Sequence, residues 1–159
     1  MKVLIVSDTH RKNDNYFKVV EMHKPDLIVH CGDIEGSEYA ISEGAPCPVY
    51  MVAGNNDFFS ELPGEVEFSV GKYKCMATHG HRYHVSMGPE RLISEGVSRG
   101  LDVVMYGHTH KPEVRFENGV YAVNPGSLSY PRQEGRKPSY MIMETDRFGD
   151  VHFTVAYLD

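Results

Sequence analysis

Five short hydrophobic segments, each followed directly by polar side chains, are the most informative feature of the sequence. Four of them are rich in β-branched residues and bounded by turn residues, which is typical of buried strands. These four span residues 3–6, 27–29, 49–52 and 103–106, and the fifth ends at Met76-Ala77. The chain is therefore predicted to contain a buried sheet.

The segments between these strands predict helices in some places and hairpins in others. Residues 15–23 carry hydrophobic side chains at helical spacing after a capping-type stretch, and residues 88–100 do so with Pro89 at the first helical position. Strand, helix and strand in series predict parallel pairing with right-handed crossovers. Strand-like pairs flanking turn residues predict hairpins at 65–77, 113–123 and 140–157. No linker divides the sequence, so we expect one domain over 1–159.

The polar residues that follow the five strands are of the types that bind metal ions. They are Asp8, His10, Asp33, Asn55, Asn56, Asp57, His79, His81, His108 and His110, each near a glycine or another small residue. Open α/β sheets bind ligands at the carboxyl ends of their strands, so we expect these side chains to converge on one rim. Their nearly equal spacing along the chain agrees with one strand and one connection each time.

This set of side chains predicts a site for two divalent metal ions. It offers imidazole, carboxylate and amide oxygen but no sulfur, which suits manganese, iron, cobalt, nickel or zinc. Seven candidate ligands exceed the three or four that one catalytic metal takes, whereas two metals sharing one carboxylate would use them all. The seven are Asp8, His10, Asp33, Asn55, His79, His108 and His110.

Histidines also have ordinary structural uses. A single histidine after a strand is more often a hydrogen-bonded structural residue than a ligand, but several in register are hard to explain in that way. We expect His23 to end a helix and His30 and His152 to be structural, while His84 is left unassigned.

Composition limits the partners and the compartment. The net charge of −6 argues against binding of extended nucleic acid, which needs a basic face, but it allows a small phosphoester substrate. The first hydrophobic run is too short for a signal peptide or a membrane span, and the three cysteines show no paired spacing. A cytoplasmic protein is therefore predicted, with a homo-oligomer left open because hairpin edges can pair between subunits.

The motifs in their order resemble those of a known family. They are Asp8-x-His10, Gly32-Asp33, Gly54-Asn55-Asn56-Asp57, His79-Gly80-His81 and Gly107-His108-Thr109-His110, with Asn124-Pro125-Gly126-Ser127 after them. This series resembles the calcineurin-like metallophosphoesterases, specifically their small single-domain bacterial and archaeal phosphodiesterases. The resemblance extends from Met1 to about Pro131 and implies a four-layer α/β/β/α sandwich of two mixed sheets with helices on the outer faces.

The resemblance also implies a division of the ligands, which spacing alone leaves open. Asp8, His10 and His110 would bind the first metal, and Asn55, His79 and His108 the second. Asp33 would bridge the two. A hydroxide between the metals would attack phosphorus in line, and manganese is the expected metal, with nickel, iron, cobalt or zinc as alternatives.

One residue departs from the family pattern. Many relatives have histidine where this chain has Asn56, and that histidine is thought to protonate the leaving oxygen. An amide has no titrating proton, so good leaving groups or another donor such as His81 are predicted. Asn56, Asp57 and His81 are the candidate catalytic residues, and Asn56 and His81 the candidate substrate contacts.

Three other functions compete with a phosphodiesterase. The retromer scaffold subunit has a similar fold and works through protein contacts, but it lacks much of the ligand set. A nuclease or a cyclic-nucleotide phosphodiesterase would use the same metals on a different substrate. A metal store would not need a shared carboxylate or the neutral Asn55 ligand.

Overall fold

The computed structural model describes residues 1–159 and contains ten strands in two sheets. The strands are β1 (Lys2–Val6), β2 (Leu27–His30), β3 (Val49–Met51), β4 (Glu65–Val70), β5 (Tyr73–Thr78), β6 (Val103–Met105), β7 (Pro112–Glu117), β8 (Val120–Pro125), β9 (Ser139–Thr145) and β10 (Val151–Tyr157). The α-helices are α1 (Asp14–His23), α2 (Glu38–Glu43) and α3 (Glu90–Arg99). Two short 3₁₀ turns, His81–Tyr83 and Val85–Met87, precede α3.

Both sheets are mixed, as predicted. The first has the order β10-β9-β1-β2-β3, with β1, β2 and β3 parallel and β9 antiparallel to β1. The second has the order β4-β5-β6-β8-β7, in which β6 is parallel to both β5 and β8. The three predicted hairpins are confirmed as the antiparallel pairs β4/β5, β7/β8 and β9/β10.

Alternating side chains of the central strands fill three hydrophobic layers. In β1, Val3 and Ile5 pack between the two sheets, whereas Leu4 and Val6 belong to the cluster that contains Tyr16 of α1. On the other side, Leu92 of α3 packs with side chains of the second sheet. This alternation follows from the period of two along a strand. The four-layer sandwich is therefore confirmed.

The helix boundaries differ slightly from those predicted. Helix α1 begins at Asp14, and Asn13 occupies its N-cap without a side-chain hydrogen bond. Pro89 occupies the N-cap of α3 rather than its first turn, so the helix begins one residue later at Glu90. Helix α2 was not predicted, because it has six residues and buries only Ile41, too little for a periodic pattern. None of the α-helices has the length and hydrophobicity that a membrane span requires.

Candidate metal centre

The loops that follow β1, β2 and β3 meet the loops that follow β5 and β6. The backbone N–H of His108 donates to Oδ2 of Asp8 over 3.0 Å, although the two residues are separated by 100 positions. The backbone N–H of Asp8 donates to the Gly32 carbonyl over 3.0 Å. The rim predicted from the sequence is thus formed by both sheets, because three of its strands belong to the first sheet and two to the second.

One cluster of ligand atoms contains Asp8, His10 and His110. The Nε2 atom of His110 lies 3.2 Å from Oδ1 of Asp8, and that of His10 lies 3.7 Å from the same oxygen. The two Nε2 atoms are 3.3 Å apart. These three side chains converge closely enough to hold a metal ion.

A second cluster lies beside the first. The Nδ1 atom of His108 lies 3.3 Å from Nε2 of His79 and 3.1 Å from Oδ1 of Asn55. The same His79 nitrogen lies 3.3 Å from Oδ2 of Asp33. The structure therefore brings all seven sequence-predicted ligands into two adjacent groups.

Two carboxylates lie between the clusters. Oδ2 of Asp33 is 3.3 Å from Nε2 of His79 and 3.8 Å from Nε2 of His10. Oδ1 of Asp8 is likewise within 3.8 Å of the His79 nitrogen. Distances alone do not choose one of them as the bridge, so the assignment of Asp33 stays a prediction.

The hydrogen bonds of two rings favour a cation between them. The Nδ1 of His79 hydrogen-bonds with the Cys31 carbonyl over 2.7 Å, and the Nδ1 of His110 with the Tyr130 carbonyl over 2.7 Å. A carbonyl can only accept, so in each neutral ring the proton is on Nδ1 and the lone pair on Nε2 faces the cluster. This is the arrangement of metal-binding histidines, whose other nitrogen donates to an oxygen.

The Asp8 carboxylate is also suited to bind a cation. Its Oδ1 is buried and has no hydrogen-bond partner, whereas Oδ2 accepts from the Ser7 hydroxyl and from a backbone N–H. Burial opposes its ionisation, but contacts with His10 and His110 lower the pKa of Asp8 well below its ordinary value. The same contact raises the pKa of His10 to about 9. A bound metal ion would replace these protons, so the residues present fit divalent cations.

Local backbone conformation aims the ligands. Five ligand residues have positive φ angles, namely Asp8, His10, Asp33, His108 and His110. Such conformations are sparsely populated by residues other than glycine, and they cluster at functional sites. The neighbouring glycines allow close approach, because a Cβ atom at Gly54 would overlap the Asp33 carboxylate and one at Gly107 would lie 2.7 Å from Oδ2 of Asp8.

The structure places Asn56 against the carboxylate of Asp33. The backbone N–H of Asn56 donates to Oδ1 over 2.9 Å, and its side-chain amide donates to Oδ2 over 3.0 Å. His81, the alternative proton donor, lies beside the second cluster, with its ring centroid 5.4 Å from that of His79. Its Nδ1 is buried and has no hydrogen-bond partner.

Asp57 contacts backbone rather than ligand side chains. Its carboxylate accepts four hydrogen bonds of 2.6 to 2.9 Å from backbone N–H groups. The donors are Asp33, Ile34, Glu35 and Gly54. These contacts favour a positioning role for Asp57 over the catalytic role predicted from the motif.

Two residues at the site were missed by sequence reasoning. Oε1 of Glu35 lies 3.3 Å from Nδ1 of His10, where it can orient the ring. Its place two residues after Asp33 was the available signal. Tyr130 contacts the site through its backbone carbonyl, which every residue has, so its residue type could not have indicated this contact.

His30 is structural as predicted: it is buried, and its Nδ1 accepts the N–H of Gly32.

Comparisons with known proteins give matches over most of the chain. The model of the calcineurin-like phosphoesterase superfamily domain matches residues 1–147. A probable metallophosphoesterase of Mycoplasma genitalium is 31% identical, covering 99% of this chain and 95% of the relative. The phosphodiesterase YfcE of Escherichia coli is 29% identical over 92% of this chain and 89% of its own. The crystal structure of a Streptococcus pneumoniae protein described as a predicted phosphoesterase superimposes with a TM-score of 0.83. Its identity is 29%, and the match covers 99% of this chain and 88% of that protein.

A further solved structure shares the fold. The zinc complex of Vps29 from Entamoeba histolytica superimposes with a TM-score of 0.77, covering 99% of each chain. Its identity to this chain is 22%, so the likeness shows the architecture alone.

Proposed function

This chain belongs to the calcineurin-like phosphoesterase superfamily, and we propose that it hydrolyses phosphodiesters with two divalent metal ions, of which manganese is the expected one. The observation that carries the proposal is the pair of adjacent ligand clusters with two buried carboxylates between them. Asp8, His10 and His110 would hold one cation, and Asn55, His79 and His108 the other. Asp33 would be shared.

The reaction adds one water across a P–O bond and gives a phosphomonoester and an alcohol or phenol. When bound, the two cations would activate water as the nucleophile and stabilise the negative charge on the phosphoryl group. The chain itself holds the ligand atoms in place: carbonyls orient the rings of His79 and His110, and Asn56 donates to Asp33. Such preorganisation avoids reorganisation during the reaction.

Metal binding is the first test. Titration of the chelator-treated protein with manganese is expected to show two ions per chain, by calorimetry and by native mass spectrometry. Hydrolysis of bis(4-nitrophenyl) phosphate should disappear with chelator and return with the titrated metal. Affinity should fall in acid, because protons compete for the imidazoles and carboxylates. A chain that binds no divalent metal would instead support the scaffold function.

The leaving-group preference is the second test. We expect Asn56→His to speed hydrolysis of a phenyl phosphodiester by about tenfold to a hundredfold, while 4-nitrophenyl esters change little. A titrating group at this position would protonate the poorer leaving oxygen, and general acid catalysis contributes about 10²–10⁴-fold where it is well placed. The expected gain is smaller than this range because the substitution also removes the Asn56–Asp33 side-chain hydrogen bond.

Asn56→Ala is the matched control, because it removes the same hydrogen bond without adding a titrating group. Rates for the two variants should be compared on phenyl and 4-nitrophenyl esters with the same metal loading. A phenyl ester rate in Asn56→His no higher than in Asn56→Ala would show that protonation at this position does not limit the reaction.

A further inference from the structure

A cleft of about 640 Å³ opens beside the first metal cluster. It is lined by the ligands His10 and His110 together with Tyr130, Arg132 and Arg136. A cleft of this volume accepts a ligand of nucleotide size. The cleft thus continues outward from the place where the scissile phosphate would be bound.

The segment that carries Tyr130 and Arg132 is attached to His110 at two points. The Tyr130 carbonyl is bonded to Nδ1 of His110, and the backbone N–H of Arg132 donates to the His110 carbonyl over 3.0 Å. The Tyr130 ring also packs edge-on against His10, with centroids 5.3 Å apart. The position of Arg132 is therefore fixed relative to the metal ligands, although its side chain is exposed.

The two arginines of the cleft have no anionic partner in the protein. Arg99 and Arg115 each pair with three glutamates on the outer surface. The guanidinium groups of Arg132 and Arg136, by contrast, make no ion pair or side-chain hydrogen bond, in a chain whose net charge is −6. The cleft also contains one carboxylate, Glu35, which faces Nδ1 of His10.

We propose that Arg132 and Arg136 bind a second phosphate group of the substrate. The physiological substrates would then be phosphodiesters that carry a further phosphate on the group retained after cleavage, an inference that rests on the proposed phosphodiesterase activity. Guanidinium groups suit this role, because their forked N–H donors match phosphate oxygens. A locally cationic wall also attracts a dianion that the negative net charge of the chain would otherwise repel.

Two chromogenic diesters test this inference. Thymidine 5′-(4-nitrophenyl phosphate) and its 3′-phosphorylated derivative share the scissile phosphate and the leaving group and differ by one remote phosphate. For the manganese-loaded protein, we expect the derivative to have a KM about tenfold lower, with the advantage shrinking as salt is raised. In the double variant Arg132→Gln/Arg136→Gln, the ratio of the two KM values should fall to about one.

The matched control removes two positive charges at the opposite end of the sandwich. Lys72 and Arg147 lie in the β4/β5 and β9/β10 turns, away from the strand ends that carry the ligands. Lys72→Gln/Arg147→Gln should keep both the activity and the KM ratio of the parent protein. If the ratio of the two KM values fell to about one in this control as well, the effect would be due to net charge and the proposal would be overturned.

A binding measurement separates this inference from the proposed function. Thymidine 3′,5′-bisphosphate should bind the metal-loaded protein about tenfold more tightly than thymidine 5′-phosphate by calorimetry, and only with both arginines present. Equal binding in the parent protein, or an advantage that survives in the double arginine variant, would refute the cleft proposal. Failure to hydrolyse either diester would refute the phosphodiesterase while leaving this comparison informative.

Discussion

Asp33→Asn is expected to reduce phosphodiester hydrolysis by about a hundredfold to a thousandfold and to weaken both metal sites. Oδ2 of Asp33 faces a ring nitrogen of each cluster, at 3.3 and 3.8 Å. Neutralising this carboxylate removes charge from both cations, and the asparagine amide would also face the donors of Asn56. Metal content should be measured by native mass spectrometry alongside the rate.

Comparison with Asp8→Asn shows which of the two carboxylates bridges the metal ions. Oδ2 of Asp8 is already used by Ser7 and His108, so only Oδ1 is free for a metal ion. If Asp33 is the bridge, Asp8→Asn should retain one tightly bound ion per chain, and Asp33→Asn should retain none. The reverse pattern would make Asp8 the bridge. Full activity of Asp33→Asn would remove the two-metal mechanism altogether.

Asp57→Asn is expected to lower the free energy of unfolding by about 2–4 kcal/mol, which corresponds to a decrease in Tm of about 5–15 °C for a chain of this length. All four of its hydrogen bonds are with backbone N–H groups, on the loops after β2 and β3. An asparagine side chain has one acceptor oxygen, so two of the donors would meet an NH₂ group. The loop that carries Asp33 should become more mobile when these hydrogen bonds are lost.

Asp102→Asn provides the control for this effect. The Asp102 carboxylate accepts one backbone N–H, that of Lys74, over 2.8 Å, and the loss should be less than about 1.5 kcal/mol. Both variants should be compared by thermal and urea unfolding without metal, and manganese affinity should then be measured by calorimetry. If Asp57→Asn unfolds like the parent yet loses hydrolysis with full metal binding, Asp57 acts directly in catalysis, as the sequence predicted.

Local pattern was enough to predict most of the strands and two of the three α-helices. The runs at 3–6 and 27–29 became β1 and β2 with boundaries within one residue, because burial and β-branched side chains act over a few neighbouring positions. Helix α2 was not predicted, because a helix of six residues with one buried side chain shows no hydrophobic periodicity. The motif predicts a catalytic role for Asp57, but it gives no sign of the backbone contacts, because three of the four come from a loop more than twenty residues away.

The kind of site can be read from the residue types, because imidazole, carboxylate and amide groups carry their ligand chemistry wherever they lie. Strands of this type also present such groups at their carboxyl ends. Which of these groups meet depends on long-range packing. The packing of the two sheets brings His110 and Asp8 within 3.2 Å, and backbone carbonyls fix the rings of His79 and His110. Tertiary packing likewise placed two unpaired arginines beside the metal ligands, because a loop between β8 and β9 is fastened to His110. Contacts between distant segments depend on the whole fold, and no local pattern encodes them.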